Sequence, residues 1–277
     1  MLLDHRPRSR HRQVTASQTT YMNFDRRHFF TVGAAATAGA LASDPLKADE
    51  NGAPLFTLPV VHIPIVGATT RFPVRRIYCV GRNYLEHIRE LGNDEREPPF
   101  FFAKHRDAIV TSGANVRYPS LTSDYQHELE LVVAMQSGGE NISSGDALRH
   151  VFGYAVGLDM TRRDLQTASR KKEQPWEIGK SFDQSAPCGA IAPAAQVGHP
   201  SKGRIWLTVN GTIRQDGDLD LMIWKVPDII AALSRQVGLN AGDLIYTGTP
   251  AGVSAVRAGD TLVGRIDGLQ ALTVTIV

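Results

Sequence analysis

Two dipeptides late in the chain, Asn210-Gly211 and Asp267-Gly268, each sit between short runs of β-branched and apolar residues. Asn-Gly and Asp-Gly tolerate the positive backbone angles of a two-residue turn, which makes them the strongest short-range hairpin signal. They commit residues 205–209 with 212–215, and 261–266 with 269–276, to antiparallel pairing. Further strand signals lie upstream. Residues 76–81 (RIYCVG) and 152–159 (FGYAVGLD) are short apolar runs, and 128–134 (ELELVVA) opens with strict polar–apolar alternation. Helical patterns are fewer: 84–91, 163–171 and 228–236, the last behind Pro227 in the first-turn position that proline favours. Many strands, few helices and no β-α-β rhythm predict an α+β fold with a mixed or antiparallel sheet.

Residues 1–48 read differently from the rest. They hold seven of the 30 Lys/Arg and three of the 28 Asp/Glu, leaving 23 basic against 25 acidic residues in the body. The formal charge of +2 is therefore a property of the tail, and the body lacks the basic footprint of a nucleic-acid binder. Arg26-Arg27 precedes an uncharged run, 29–42, that ends Ala40-Leu41-Ala42. That order predicts a twin-arginine export signal and a periplasmic or exported protein. At 14 residues the run is short of the roughly 20 that span a bilayer, so no stable membrane anchor is expected. The expected organisation is signal and linker 1–48, extension 49–75 and catalytic body 76–277. Cys79 and Cys188 are too few for a disulfide scaffold and read as buried hydrophobes.

The chemistry-bearing residues cluster in the body. Glu128 and Glu130, two apart in a strand, share a face while Leu129 and Leu131 point the other way. Adjacent carboxylates repel, and burying them requires a cation; hard divalent ions take such oxygen ligands. The same spacing also suits a solvated strand edge. Asp159, at the end of an apolar strand, is a third carboxylate. His87 and Glu90 would share a helical face, an arrangement suited to removing a proton from water and equally to an ordinary surface pair. Lys180 could neutralise a substrate carboxylate or lie in solvent. The run 242–253 (GDLIYTGTPAGV) is a strand entering a glycine-punctuated loop whose backbone and hydroxyls can receive an anion.

In order along the chain, GRNYxxHxxE, PFFFAK, HExEL, GYAVGLDMTRRDLQ, PWxxGKSFDxSAP and GDLIYTGTPAGV resemble the fumarylacetoacetate hydrolase family over residues 76–277. The runs 97–102 and 159–166 are most similar to its fumarylpyruvate and acylpyruvate hydrolase branch. The resemblance implies a mixed β-sandwich roll, a homodimer, and hydrolysis of a C–C bond in a small diketo acid. It places Mg²⁺ or Mn²⁺ on Glu128, Glu130 and Asp159, and a water-activating pair on His87 and Glu90. It gives Lys180 a catalytic role and matches Arg82, Lys104, Arg163, Gln166 and Thr249 to substrate-contacting positions. Oxaloacetate decarboxylation or tautomerisation is the alternative on the same fold, and a non-catalytic keto-acid- or metal-binding protein the alternative from another class. Fumarylpyruvate would call for a cation at its distal carboxylate, with Arg163, Arg162 or Arg82 to supply it.

Overall fold

The structure is a computed structural model that describes residues 54–84 and 98–277. The signal-like segment, the 84–91 helix beyond Tyr84, and both His87 and Glu90 lie outside the described residues. A compact unit begins at Thr57 and runs to Val277.

The centre of that unit is a mixed eight-stranded sheet. Along its main path the order is Phe100–Lys104, Ile77–Gly81, Leu244–Tyr246, Leu129–Met135, Val151–Leu158, Ala186–Cys188 and Ile109–Thr111, with Ala192–Pro193 also paired to Val151–Leu158. Leu244–Tyr246 runs parallel to Ile77–Gly81, and Ala186–Cys188 parallel to Ile109–Thr111; the other pairings in this sheet are antiparallel. A five-stranded sheet, Thr212–Asp218, Arg204–Val209, Thr261–Ile266, Leu272–Ile276 and Asn115–Val116, packs against it. The first turn signal forms as read, with Asn210 and Gly211 at φ of 51° and 79°; the second also joins two antiparallel strands, but only Gly268 has a positive φ, 77°, and the return strand begins at Leu272. Ile205, Leu207 and Val209 alternate with more exposed neighbours, so the five-stranded sheet buries one face, as antiparallel sheets commonly do.

The central strand is another matter. All of Leu129–Met135 is buried. Leu129, Leu131, Val133 and Met135 join the core shared with the five-stranded sheet and the Val226–Ser234 helix. Val132 and Ala134 join a second core with Cys79, Leu244 and Tyr246. The alternation in ELELVVA suggested a strand half in water; instead it separates two apolar cores, and its polar positions are buried with the rest. Part of the extension expected at 49–75 packs inward. His62–Pro64 pairs with Arg71–Pro73, and Ile63 and Phe72 enter the second core. Cys79 and Cys188 are both free and fully buried. The architecture is the α+β roll expected, with helices at Arg163–Lys171 and Val226–Ser234 close to their expected bounds.

Candidate active site and metal centre

The site forms where one antiparallel pair changes sheets. Leu129–Met135 and Val151–Leu158 are partners in the large sheet. Just before the first and just after the second, Tyr125–His127 and Thr161–Arg162 pair again, now in a separate three-stranded sheet. Glu128 and Asp159 are the residues at the break, one on each chain, and the Asp159 amide donates to the Glu128 carbonyl at 2.8 Å. Glu128 is therefore not within the strand, as the alternation implied, but at the point where the strand bends. Glu130, two residues on, lies opposite Gly157. A Cβ at Gly157 would meet Val132 Cγ2 at 2.4 Å and Tyr246 at 2.7 Å, so only glycine leaves room on that face.

The three carboxylates converge, with one oxygen of each lying within 4.8 Å of the others, and all three residues are buried. Burial first, then the neighbouring charges of Asp159 and Glu128, push the Glu130 carboxyl well above the ordinary carboxylate range; the Gly248 amide, donating to its Oε2 at 2.8 Å, pulls the other way. Gly248 can present that N–H because its φ of 95° suits glycine, and because a Cβ there would strike Asn83 at 2.7 Å. Three such oxygens are a hard-ligand set, and a divalent cation would relieve the repulsion that burial amplifies. The residues present fit Mg²⁺ or Mn²⁺.

Cations surround the acids. Lys180, at the end of the short Glu177–Lys180 helix, donates to Glu128 Oε2 at 2.6 Å, to Asp159 Oδ2 at 2.8 Å and to Thr161 Oγ1 at 2.8 Å. Burial alone would lower its pKa, but the Asp159 and Glu128 charges outweigh that and raise it, so Lys180 is a fixed ammonium. Arg163 donates to Glu128, to Gln126 Oε1 at 2.8 Å and to Gln166 Oε1 at 2.6 Å. Lys104, fully buried at its side chain, pairs with Asp159 Oδ1 at 2.8 Å and donates to the Met160 and Lys180 carbonyls.

A cleft of about 620 Å³ opens onto this cluster. Arg82, Arg163, Gln166, Thr249, Lys180 and the three acids all line it. Lys104 does not; it lies behind Asp159 and orients it. Arg162 does not either, because its guanidinium stacks 4.0 Å over the Phe182 ring. Two supporting residues escape a sequence reading. Gln215 Oε1 accepts from the Leu129 amide at 3.0 Å and from His127 Nδ1 at 2.9 Å, while its Nε2 donates to Thr249 Oγ1 and the Pro250 carbonyl, both at 2.8 Å. Since an amide oxygen only accepts, His127 carries its proton on Nδ1, and its Nε2 accepts from Ser254 at 3.0 Å. Thr249 spends a lone pair on Gln215 and keeps its O–H as a donor. The only signal for this support would have been one buried polar residue in an otherwise exposed strand, and Gln215 turns inward at a β-bulge against Leu207/Thr208 that no spacing rule locates.

Comparison with known proteins agrees with this geometry. The pattern "Fumarylacetoacetate (FAA) hydrolase C-terminal" matches residues 76–277. A Ralstonia fumarylpyruvate hydrolase is 46% identical over 180 residues, 65% of this chain and 93% of its own. The human mitochondrial oxaloacetate tautomerase FAHD1 is 40% identical over 199 residues, 72% of this chain and 90% of its own. Among solved structures, fumarylpyruvate hydrolase from Pseudomonas aeruginosa, in complex with Mn²⁺ and pyruvate, superposes with a TM-score of 0.80 at 52% identity, covering 81% of this chain and 99% of that one. With the acidic triad, the strand break that builds it and the match over the whole catalytic body in agreement, the chain belongs to the fumarylacetoacetate hydrolase family.

Proposed function

We propose that this protein is a metal-dependent hydrolase that cleaves the C–C bond of a 1,3-diketo acid, fumarylpyruvate or another acylpyruvate, to pyruvate and a carboxylic acid. The observation that carries the reading is the buried triad bridged by Lys180, in a chain 52% identical to an enzyme described with Mn²⁺ and pyruvate. Glu128, Glu130 and Asp159 hold the cation, Mg²⁺ or Mn²⁺. When bound, it supplies Lewis acidity to the substrate's oxygens and stabilises negative charge developing there.

The chain's own residues do the rest. To Glu90, aided by His87, falls the removal of a proton from water, which adds to the carbonyl distal to the pyruvyl group. The C–C bond breaks, its electron pair passes to the pyruvate fragment, and a proton returns to that carbon. The role assigned to Lys180, a fixed positive charge beside Glu128 and Asp159, is to stabilise that electron pair as it develops. Arg163 holds Glu128 and Gln166 in place, and Thr249 offers its hydroxyl to a substrate oxygen.

The 40% identity to an oxaloacetate tautomerase favours a second reading, in which the same site enolises oxaloacetate and no water attacks. Assays with fumarylpyruvate, acetylpyruvate and oxaloacetate separate the two. Hydrolysis lost in Glu90→Ala supports the first, while turnover of oxaloacetate alone, indifferent to that change, would replace it with the second. Export through Arg26-Arg27 and a homodimeric state belong to the same proposal, supported by the order of the N-terminal segment and by the family resemblance.

A further inference from the structure

The helix Arg163–Lys171 lays one face along the cleft: Arg163, Gln166, Thr167 and Arg170 all line it. That is the i, i+3, i+4, i+7 spacing of a single helical stripe. The stripe leads away from the triad, since seven residues at the α-helical rise separate Arg163 from Arg170 by about 10 Å along the axis. At its inner end, Arg163 is committed to Glu128, Gln126 and Gln166. At its outer end, Arg170 is exposed, and its side chain has no hydrogen bond or ion pair among the described residues.

Charge sharpens the contrast. Lys180, Arg163 and Lys104 are all committed to Glu128 or Asp159, while Glu130 has no salt bridge among the described residues. Arg82 lies 5.5 Å over the Phe100 ring and has a further partner, and Arg162 is stacked on Phe182 outside the cleft. Among the described residues of the cleft wall, Arg170 is the guanidinium left for a ligand. The same cleft wall is aromatic: Phe100 and Phe102 pack against Trp176 with ring centroids 5.3 and 5.9 Å apart, and all three line the cleft. A flat, unsaturated chain fits such a wall, and a guanidinium at its far end accepts a carboxylate through two parallel hydrogen bonds.

We infer that Arg170 is the specificity residue for the substrate's distal carboxylate, so that the cleft selects an unsaturated acyl group ending in an acid over a short neutral one. The inference rests on the acylpyruvate reading above and departs from the expectation that Arg163, Arg162 or Arg82 would serve, because Arg163 donates to Glu128, Arg162 stacks on Phe182 and Arg82 lies over Phe100.

The test is the ratio of kcat/KM for fumarylpyruvate to that for acetylpyruvate. Native enzyme should favour fumarylpyruvate. Arg170→Met should lower the ratio about tenfold, the low end for a hydrogen-bonded charge because the site is open to water. Arg170→Lys should recover part of it, since lysine keeps the charge but not the fork. A ratio unchanged in both variants, with native enzyme hydrolysing both substrates, would overturn this inference alone. Native enzyme that hydrolyses neither would overturn it together with the acylpyruvate reading.

Discussion

Asp159 concentrates the electrostatics of the site in one side chain. Lys180 reaches its Oδ2 and Lys104 its Oδ1, each at 2.8 Å, and all three residues are buried. A carboxylate so placed is stable only while its cations remain, because an unpaired buried charge costs several kcal/mol. Replacing Lys104 by Met should therefore destabilise the protein by about 3 kcal/mol, read from urea unfolding, since removing one partner of a buried pair costs more than the pair contributes. A loss below about 1 kcal/mol would mean that Lys180 alone compensates Asp159. The carboxylates themselves were legible in the sequence by type, because three acids in apolar strand context call for a cation. Their arrangement was not. Glu128 and Asp159 meet because paired strands change sheets beside both, which depends on partners 25 or more residues away rather than on local spacing.

At the scale of elements, the Arg163–Lys171 helix is held in register by its first turn. The Arg163 amide donates to the Asp124 carbonyl at 2.8 Å, and Asp164 accepts from the Ser123 and Leu165 amides at 2.9 Å and from the Thr122 hydroxyl. Partial burial works against the Asp164 carboxylate, but those donors outweigh it and hold its pKa below the ordinary value. A carboxyl depressed in the folded state contributes stability above its unfolded pKa, about 3.9, and loses it as pH falls through the lower folded value. Asp164→Asn should thus cost about 1 kcal/mol at pH 7, comparable to a lost cap, with the gap from native protein narrowing in acid. Urea midpoints for both proteins across that range check it; a gap constant with pH would contradict the assignment. The helix forms at the bounds expected, 163–171, although the residues it buries are polar, Gln166 and Ser169. The hairpins could be read because Asn210-Gly211 and Asp267-Gly268 carry their own turn chemistry, although after Gly268 the strand resumes only at Leu272. Burial of Leu129–Met135 on both faces could not, since it depends on two further layers that local alternation does not report.

For the whole molecule, the compact unit from Thr57 to Val277 holds the complete acidic triad and its cations, and no helix among the described residues is long and apolar enough to cross a membrane. If the segment ahead of it is a twin-arginine signal, the protein crosses already folded. Replacing Arg26 and Arg27 together by Lys should then leave it at full length in the cytoplasm, as cell fractionation would show, whereas native protein found only there with residues 1–42 retained would refute the signal. Nothing in the periodicity of the body bears on this, because the signal depends on the order of charge, apolar run and small residues in the tail alone.

The proposed hydrolysis depends on one divalent cation held jointly by Glu128, Glu130 and Asp159. Calorimetric titration of chelator-treated protein with Mn²⁺, run on native protein and on Glu130→Gln, addresses it most directly. Glu130 is suited to the comparison because among the described residues its carboxyl has no salt bridge, so the amide disturbs the cation network least. Native protein should bind one Mn²⁺ per chain, and the variant should bind it at least about tenfold more weakly, an anionic ligand having been lost. Equal Mn²⁺ binding by both, or none by the native protein, would contradict it.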